Sequence, residues 1–554
     1  MISVAFVIQT GIIAQVHPGD REESYNGVFV NYFKNKLLTL EVMNLSFDFS
    51  KKVYLLSLLL FLSICSCQSK LSYQELHRPQ FHFSPPKNWM NDPNGLVYYD
   101  GEFHLYYQYY PDSNVWGPMH WAHAISEDLV HWKHLPVALF PDSLGTIFSG
   151  SAVLDWENTA GLQTGNLPSM IAIFTQHSED KLKQGRDDFQ EQSIAYSNDK
   201  GRTFNKYAFN PVIKNEGERD FRDPKVRWDE RFQKWIMVFA AGQKVKFYGS
   251  RNLLNWEYLS EFGIGEGAHG GVWECPDLFP LKIVNEEKWV LLVSINPGAP
   301  NGGSGTQYFI GNFDGTKFTN ENPNNTTLWL DYGPDNYAGV TWSDIPVKDG
   351  RRIYIAWMSN WNYAQSVPTI NWRGAMTIPR ELELKNTNSG IRLFSTPVNE
   401  MIKLRKAAQN LDLLKDSLFK ISGLNELIFK IDLKNGSSDS FGVIFSNAKN
   451  ESLIFGFDNQ HNQFYIDRTK SGKISFSKEF SGKHFAPRII NDSILEVRLF
   501  LDYTSLELFA DQGSVTMTET FYPNEKINQV MFFQKNGITK IQSVTLFDLS
   551  SIWD

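Results

Sequence analysis

The chain has 554 residues, enough for two or three domains and a large buried core. Its formal net charge of −8 leaves no basic footprint for a phosphate backbone, which argues against nucleic acid as a partner. Aromatic residues make up 14% of the chain, with 16 Trp and 22 Tyr; such rings stack on sugars and bases alike, so composition alone does not choose, and charge does.

In chain order, the first legible segment is SKKVYLLSLLLFLSICSCQSK. Lys51 and Lys52 precede an apolar run of 12 residues, Val53 to Ile64, which falls short of the roughly 20 needed to span a bilayer. A basic start, a short apolar core and small residues before Cys67 predict a signal peptide. The ending Ile64-Cys65-Ser66-Cys67 resembles a bacterial lipoprotein signal, with Cys67 as the lipidated residue; an ordinary cleaved signal is the alternative. Since a signal should begin a chain, translation is expected to start at Met43. Residues 1–42 then form an upstream extension, 43–67 the signal and 68–78 a flexible tether. The tether has one Glu and no acidic cluster, so the predicted location is exported and lipid-anchored, on the periplasmic side of the outer membrane, with surface exposure as the alternative. The third cysteine, Cys275, stands alone, which excludes a disulfide framework.

Between about 79 and 385 the chain repeats itself loosely. Five strand-like runs, FHLYYQYY, MIAIFTQHS, WIMVFAAG, WVLLVSINPG and IYIAWMSNW, start 67, 65, 54 and 64 residues apart. Each follows a shorter strand signal (GLVYY, GSAVL, PKVRW, PDLFP, AGVTW), and several precede a shared turn such as SEDLVHW or SNDKGRTF. Five units of about four short strands predict an all-β, five-bladed β-propeller; the irregular period leaves a two-sheet fold as the alternative.

In a propeller the first strand of each blade lines a central channel, so the residues just before those strands converge on one mouth. In order they are Asn91-Asp92, Phe148-Ser149, Arg222-Asp223, Glu274 and Asp335. Asp92 and Asp223 directly precede proline, which biases them to extended backbone and helps fix each carboxylate's direction. Carboxylates crowded in a funnel repel one another, so their pKa values should split into one ionised nucleophile and one protonated acid, as glycoside hydrolysis requires. Trp273 and Cys275 flank Glu274 with weakly polar neighbours, making Glu274 the expected holder of the raised pKa.

NWMNDPNG, FRDPK and WECPD, in this order, resemble glycoside hydrolase family 32, the β-fructosidases that include invertases, inulinases and levanases. The resemblance covers roughly 79–554 and extends to YYQY, WGPMHW, FSGS, DYGPDNYA and SNW. It implies a propeller followed by a β-sandwich, no metal or other cofactor, and retaining hydrolysis of a terminal β-fructofuranoside. By the same resemblance Asp92 is the nucleophile, Glu274 the general acid and base, and Asp223 the transition-state stabiliser. Asn91, Gln108, Trp116, Ser149, Arg222, Asp335 and Trp361 are the expected sugar-binding residues, although the family often has an aromatic where this chain has Asn336.

Two features invite other readings. MHWAHAISEDLVHWKH holds His120, His123, His131 and His134; residues three apart on a strand face opposite sides, so neither pair chelates easily. Ser197 to Phe204 matches the S-x-D-x-G-x-T-aromatic turn that resembles the Asp-box of sialidases, a structural turn on blade edges. Beyond an amphipathic linker at 386–408, which includes TPVNEMIKLRK, alternating runs such as ELIFKIDL, FGVIFSN and ILEVRLFLD predict an antiparallel sandwich over 409–554.

The sequence therefore predicts a retaining exo-β-fructosidase acting on fructans (levan, inulin), fructo-oligosaccharides and sucrose. Its partner is the sugar, its only membrane contact a lipid anchor, and nothing in it selects an oligomeric state. The rivals are an endo-levanase on the same fold, an inverting arabinan hydrolase, and a non-catalytic carbohydrate-binding protein.

Overall fold

The computed structural model describes residues 73–411 and 418–553. The expected extension, signal peptide and lipidated Cys67 lie outside these residues. Five antiparallel sheets succeed one another along the chain, each with its earliest or innermost strand toward a common axis. The inner strands are Asn88–Tyr99, Thr146–Asp155, Phe221–Asp229, Val272–Ile283 and Tyr337–Thr341. Each touches the next, and the fifth touches the first, so the ring closes as a five-bladed propeller. Closure is reinforced by Trp372–Arg373, which leaves blade 5 and pairs in parallel with Asn88–Trp89 on blade 1.

The strands form where apolar residues run almost unbroken. Ser169–His177 is buried at all nine positions, as expected of a strand covered on both faces by neighbouring blades. The recurrent turns also match the sequence. Asp199 Oδ1 accepts from the amides of Arg202 and Thr203 and from Ser197 Oγ, at 2.6–3.1 Å. Asp128 in blade 1 and Asn252 in blade 3 hold the same kind of turn through the amides of Val130 and His131, and of Leu254 and Asn255. A short polar side chain that caps following amides is the physical content of the shared motif.

The histidines of blade 1 scatter as the strand geometry predicts. His123 is buried against His104, with Nε2 3.0 Å from His104 Nδ1. His134 stacks in line with Tyr73 and Trp553, and His131 bonds Asp128.

Two expected boundaries move. The blade expected to end at 385 instead continues through the hairpin of Arg380–Thr387 and Gly390–Pro397, whose second strand forms the outer edge of blade 5. The true connection is a 3-10 helix, Asn399–Leu404, that buries Met401 and Leu404 and exposes Ile402; Arg405–Asn410 already belongs to the sandwich. Nor does a flexible tether extend to 78. Tyr73 stacks on Trp553 at 4.1 Å, Arg78 is buried over Trp372, and Gln80 donates its amide to Asp502. Aromatic and guanidinium surface in this stretch is too valuable to packing to remain loose.

The C-terminal domain is two six-stranded antiparallel sheets around one apolar core, rich in Phe and Leu from both sheets. Buried ionic groups join it to the propeller. His82 lies between Asp502 and Glu507, 2.8 Å from each, and Arg380 bridges Glu507 and Asp331.

Candidate active site

All five inner strands break register at the same level. Pairing with the second strand of each blade skips from Met90 to Pro93, Ile147 to Gly150, Arg222 to Lys225, Glu274 to Asp277 and Tyr337 to Val340. Two residues of the inner strand oppose one of its partner each time, a one-residue bulge, and Asn88–Tyr99 has a second one between Asn94 and Val97. Bulges bend the strand and re-aim its side chains. Asp223, Cys275 and Ala338 take positive φ at these points, at 66°, 45° and 56°. The five bulges form one ring, and that ring delivers the site.

Asn91, Asp92, Gln108, Trp116, Ser149, Arg222, Asp223, Glu274 and Trp361 line a single cavity of about 580 Å³ at this end of the channel. Asp92 is held by neutral donors. Ser149 Oγ donates to its Oδ2 at 2.6 Å, and Asn91 Nδ2 to its Oδ1 at 3.0 Å. Asn91 is itself fixed by the Trp89 indole N–H at 2.7 Å. Asn94 completes the motif by bonding Asp92's carbonyl and receiving the Gly150 amide, which ties blade 1 to blade 2. Burial pushes the Asp92 carboxyl up and the nearby Glu274 charge adds to this, while the Ser149 and Asn91 hydrogen bonds favour the ionised form.

Arg222 organises the other two acids. It donates to Glu274 Oε1 through Nε at 3.2 Å and Nη2 at 2.9 Å, and its Nε lies 3.9 Å from Asp223 Oδ2. Asp220 and Gln190 brace it from behind, at 2.7 and 3.4 Å. The carboxylates keep this guanidinium charged despite its burial. Asp223 accepts the Cys275 amide at 3.1 Å, and burial with the charges of Glu274 and Asp92 pushes it up to about 7 against the pull of Arg222.

Burial raises the carboxyls of Asp92 and Asp223, which the sequence did not single out for a raised pKa. The flanking residues do not make Glu274's surroundings apolar. Trp273 turns away to bond the Ala268 carbonyl and pack near Phe309, while Glu274 meets a guanidinium and a phenol.

That phenol belongs to Tyr337, and it corrects the expectation for blade 5. Asp335 does not reach the mouth. It is fully buried at the boundary with the sandwich, bonded by Arg468 at 2.6 Å, Tyr363 at 2.7 Å and the Thr520 amide at 2.9 Å. The bulge of blade 5 falls at Ala338–Gly339, so Tyr337 holds the place that Glu274 holds in blade 4, and it donates its hydroxyl to Glu274 Oε2. Counting from an acidic residue put the blade 5 position two residues too early.

Cys275 is also part of the site. Its thiol lies 3.5 Å from Asp92 Oδ2 and 3.6 Å from Asp223 Oδ2, and burial holds it well above its ordinary pKa, hence protonated and able to donate. Its positive φ turns it inward, which strand alternation would not suggest. The remaining wall comes from Phe148 stacked on His177 at 4.4 Å, from Phe189, and from Glu179 and Leu182 of the short helix Glu179–Lys183, capped by Ser178. Trp116 is 38% exposed at the rim, and Trp361 packs on Trp89 and Trp357.

The arrangement suits the cleavage of a glycosidic bond: three carboxyl groups with unlike partners, one arginine, and aromatic walls around a sugar-sized space. Comparisons with known proteins agree with it. A levanase of Bacillus subtilis (strain 168) is 49% identical over 492 residues, covering 87% of this chain and 72% of its own length. An extracellular exo-inulinase of Aspergillus niger (strain ATCC MYA-4892 / CBS 513.88 / FGSC A1513) is 38% identical over 522 residues, covering 87% and 96%. The crystal structure of exo-inulinase from Aspergillus awamori superposes with a TM-score of 0.81 at 34% identity, over 87% of this chain and 100% of that one. An E230A fructofuranosidase from Schwanniomyces occidentalis, complexed with fructosylnystose, superposes at 0.79 and 32% identity, over 86% and 99%. The Glycosyl hydrolases family 32 N-terminal domain matches residues 82–397 and the family 32 C terminal matches 395–548. Propeller and sandwich are thus the two domains of one enzyme family, and the chain belongs to glycosyl hydrolases family 32.

Proposed function

We propose that this enzyme is a retaining exo-β-fructosidase that removes terminal fructose from fructans and fructo-oligosaccharides. The observation that carries the reading is the convergence of Asp92, Asp223 and Glu274, from three separate blades, on one cavity. Relatives named levanase and exo-inulinase, and a neighbour complexed with fructosylnystose, support the same substrate class.

Each acid has a role suited to its partners. Asp92, held by a hydroxyl and an amide, attacks the anomeric C2 and forms the covalent fructosyl-enzyme. Glu274 gives a proton to the departing glycosidic oxygen, then takes one from the attacking water. Tyr337 and Arg222 fix its direction. Asp223 receives sugar hydroxyls through hydrogen bonds that strengthen as the oxocarbenium-like state develops. Gln108 is buried with no hydrogen-bond partner for Nε2 among the described residues, which suits a donor reserved for a sugar hydroxyl.

Product analysis on levan, inulin and sucrose tests the reading. Fructose as the sole early product is expected from the polymers. A ladder of oligosaccharides would make the enzyme an endo-levanase, and no turnover of any of the three would leave only a binding protein. Early-time NMR tests retention, with β-fructofuranose as the first anomer expected.

The proposed location is outside the cytoplasm, anchored through a lipid on Cys67 and facing the periplasm. Cys67→Ala should move the protein from the membrane to the soluble fraction, and protease shaving of intact cells should leave the wild type untouched.

A further inference from the structure

The channel has a second mouth. At the end opposite the carboxylates, a cavity of about 410 Å³ opens among the C-terminal halves of the inner strands. Asp223 and Arg227 share the strand Phe221–Asp229, so the two sites lie about 13 Å apart along it at the usual strand rise. None of the residues assigned to the catalytic pocket lines the second cavity.

Its lining combines three chemistries. Trp156 stands at the rim, 60% exposed, yet its ring is held: the indole N–H donates to Asp344 Oδ1 at 3.0 Å, and the ring meets Tyr99 edge-on at 6.3 Å. An exposed indole kept in one orientation is a stacking platform whose ordering cost is already met by the fold. Inside, Arg227 Nη1 and Arg352 Nε are buried and have no hydrogen-bond partner among the described residues. Arg227 lies over Trp289 at 4.6 Å with Asp229 at 3.9 Å, and Arg352 lies over Phe279 at 5.0 Å. Buried donors without partners are uncommon in folded proteins.

The acids there also differ from a metal cluster or a simple cationic patch. Asp277 takes the Thr341 amide and hydroxyl at 2.7 and 2.8 Å, with Lys225 at 3.5 Å. Asp344 takes the Leu154 amide and the Trp156 indole, and each has further acceptor capacity. Carboxylates (Asp155, Asp277, Asp344) line the cavity as well as cations (Lys225, Arg227, Arg352), so a phosphate or another polyanion would face repulsion. Donors, acceptors and a fixed indole within a space of this size are the features that recognise a neutral polyhydroxylated ring.

We infer that the cavity framed by Trp156, Arg227, Arg352 and Asp344 is a second, non-catalytic saccharide-binding site for a neutral mono- or disaccharide unit. It would hold sugar on the far side of the ring from the site of cleavage. The inference stands on a separate cavity and does not depend on the reading of the catalytic pocket.

Isothermal titration of the full chain carrying Asp92→Asn with fructose, sucrose and 1-kestose tests it, because that variant should bind without turnover. At least one of these sugars should fill a second site. Trp156→Ala in the same background should remove that site or weaken it about tenfold, since stacking on one indole contributes on this scale. Arg227→Gln should do the same, and its fold is checked by circular dichroism. Trp156 is exposed, so its variant remains informative if Arg227→Gln does not fold. A change in tryptophan fluorescence on saturation, lost in Trp156→Phe, should accompany binding. The inference is overturned if none of the three sugars binds, if every sugar-binding event survives both Trp156→Ala and Arg227→Gln, or if citrate or inorganic phosphate fills the cavity in place of the sugars.

Discussion

At the scale of single residues, the three carboxyls differ in what surrounds them, and kinetics should separate them accordingly. With Asp92 as the proposed nucleophile, Asp92→Asn should abolish turnover on every substrate. With Glu274 as the proposed acid and base, Glu274→Ala should lower kcat by roughly 10²–10⁴-fold. Its first-step defect should shrink with fructosyl fluoride, whose leaving group needs no proton, and added azide should speed the second step. Asp223→Ala should lose kcat on good and poor leaving groups alike. Rescue of Asp223→Ala by the better leaving group, without rescue of Glu274→Ala, would exchange the two assignments. Asp223 also carries a stability consequence. Its carboxyl stands at about 7 against an ordinary 3.8, so the folded state binds that proton more tightly than the unfolded chain. The stabilisation is complete below about pH 4 and is lost as pH rises through about 7. Asp223→Asn should therefore raise Tm at pH 8 by roughly 1–3 °C relative to wild type, with a smaller difference at pH 4, while activity falls.

At the scale of elements, the bulge is the unit that makes the site. Strand alternation alone would turn successive residues to opposite faces, and neither Arg222 with Asp223 nor Glu274 with Cys275 could reach the site together. The extra residue in each inner strand, with its positive φ at Asp223 and Cys275, points them together. In blade 5 the same device delivers Tyr337. Tyr337→Phe should lower kcat by about tenfold through loss of one hydrogen bond to a charged group, with little change in KM. The turns on the blade edges are the contrasting case. Asp199 bonds four groups of its own turn and none in the cavity. Asp199→Ala should cost about 1 kcal/mol by the measure of lost capping, read as a lower denaturation midpoint, and leave kcat/KM unchanged.

At the scale of the whole molecule, the sandwich is bound to the propeller by buried charge. Asp335 and Arg468 cross the boundary, and Asp335→Ala should destabilise by less than the roughly 3–5 kcal/mol of an unpaired buried charge, because Glu519 still lies 3.1 Å from the guanidinium. The surviving folded enzyme should keep its KM, which distinguishes a structural Asp335 from a sugar ligand. His82 offers a pH signature. Burial lowers its affinity for protons, but Asp502 and Glu507 on either side override this and raise it to about 9 from an ordinary 6.5. Its contribution is fully present below about pH 6.5 and lost as pH rises through about 9. Thermal unfolding of the wild type should therefore fall in midpoint between pH 7 and 9.5, and His82→Gln should be less stable at pH 6 and flatter across that range.

Much of this protein is determined within short stretches of its chain. Blade strands announce themselves because a strand covered on both faces must be apolar throughout, as at Met170–Thr175. The edge turns are legible because Asp199 and its relatives bond their own neighbours. Asp92, Asp223 and Glu274 are legible because a proline or an Asn-Gly turn beside each marks a special backbone position. Other features were decided only by tertiary structure. Whether an acid near a blade start reaches the mouth depends on where the bulge falls, and that is set by pairing with the next strand; this is why Asp335 was misplaced and Tyr337 overlooked. The surroundings of each carboxyl are set by burial and by the guanidinium that folding brings from blade 3, so the neighbours of Glu274 in sequence do not describe its partners, Arg222 and Tyr337. The end of the propeller at Pro397, and the anchoring of Tyr73–Gln80, follow from long-range partners such as Trp553 and Asp502, whose separation along the chain leaves no local trace.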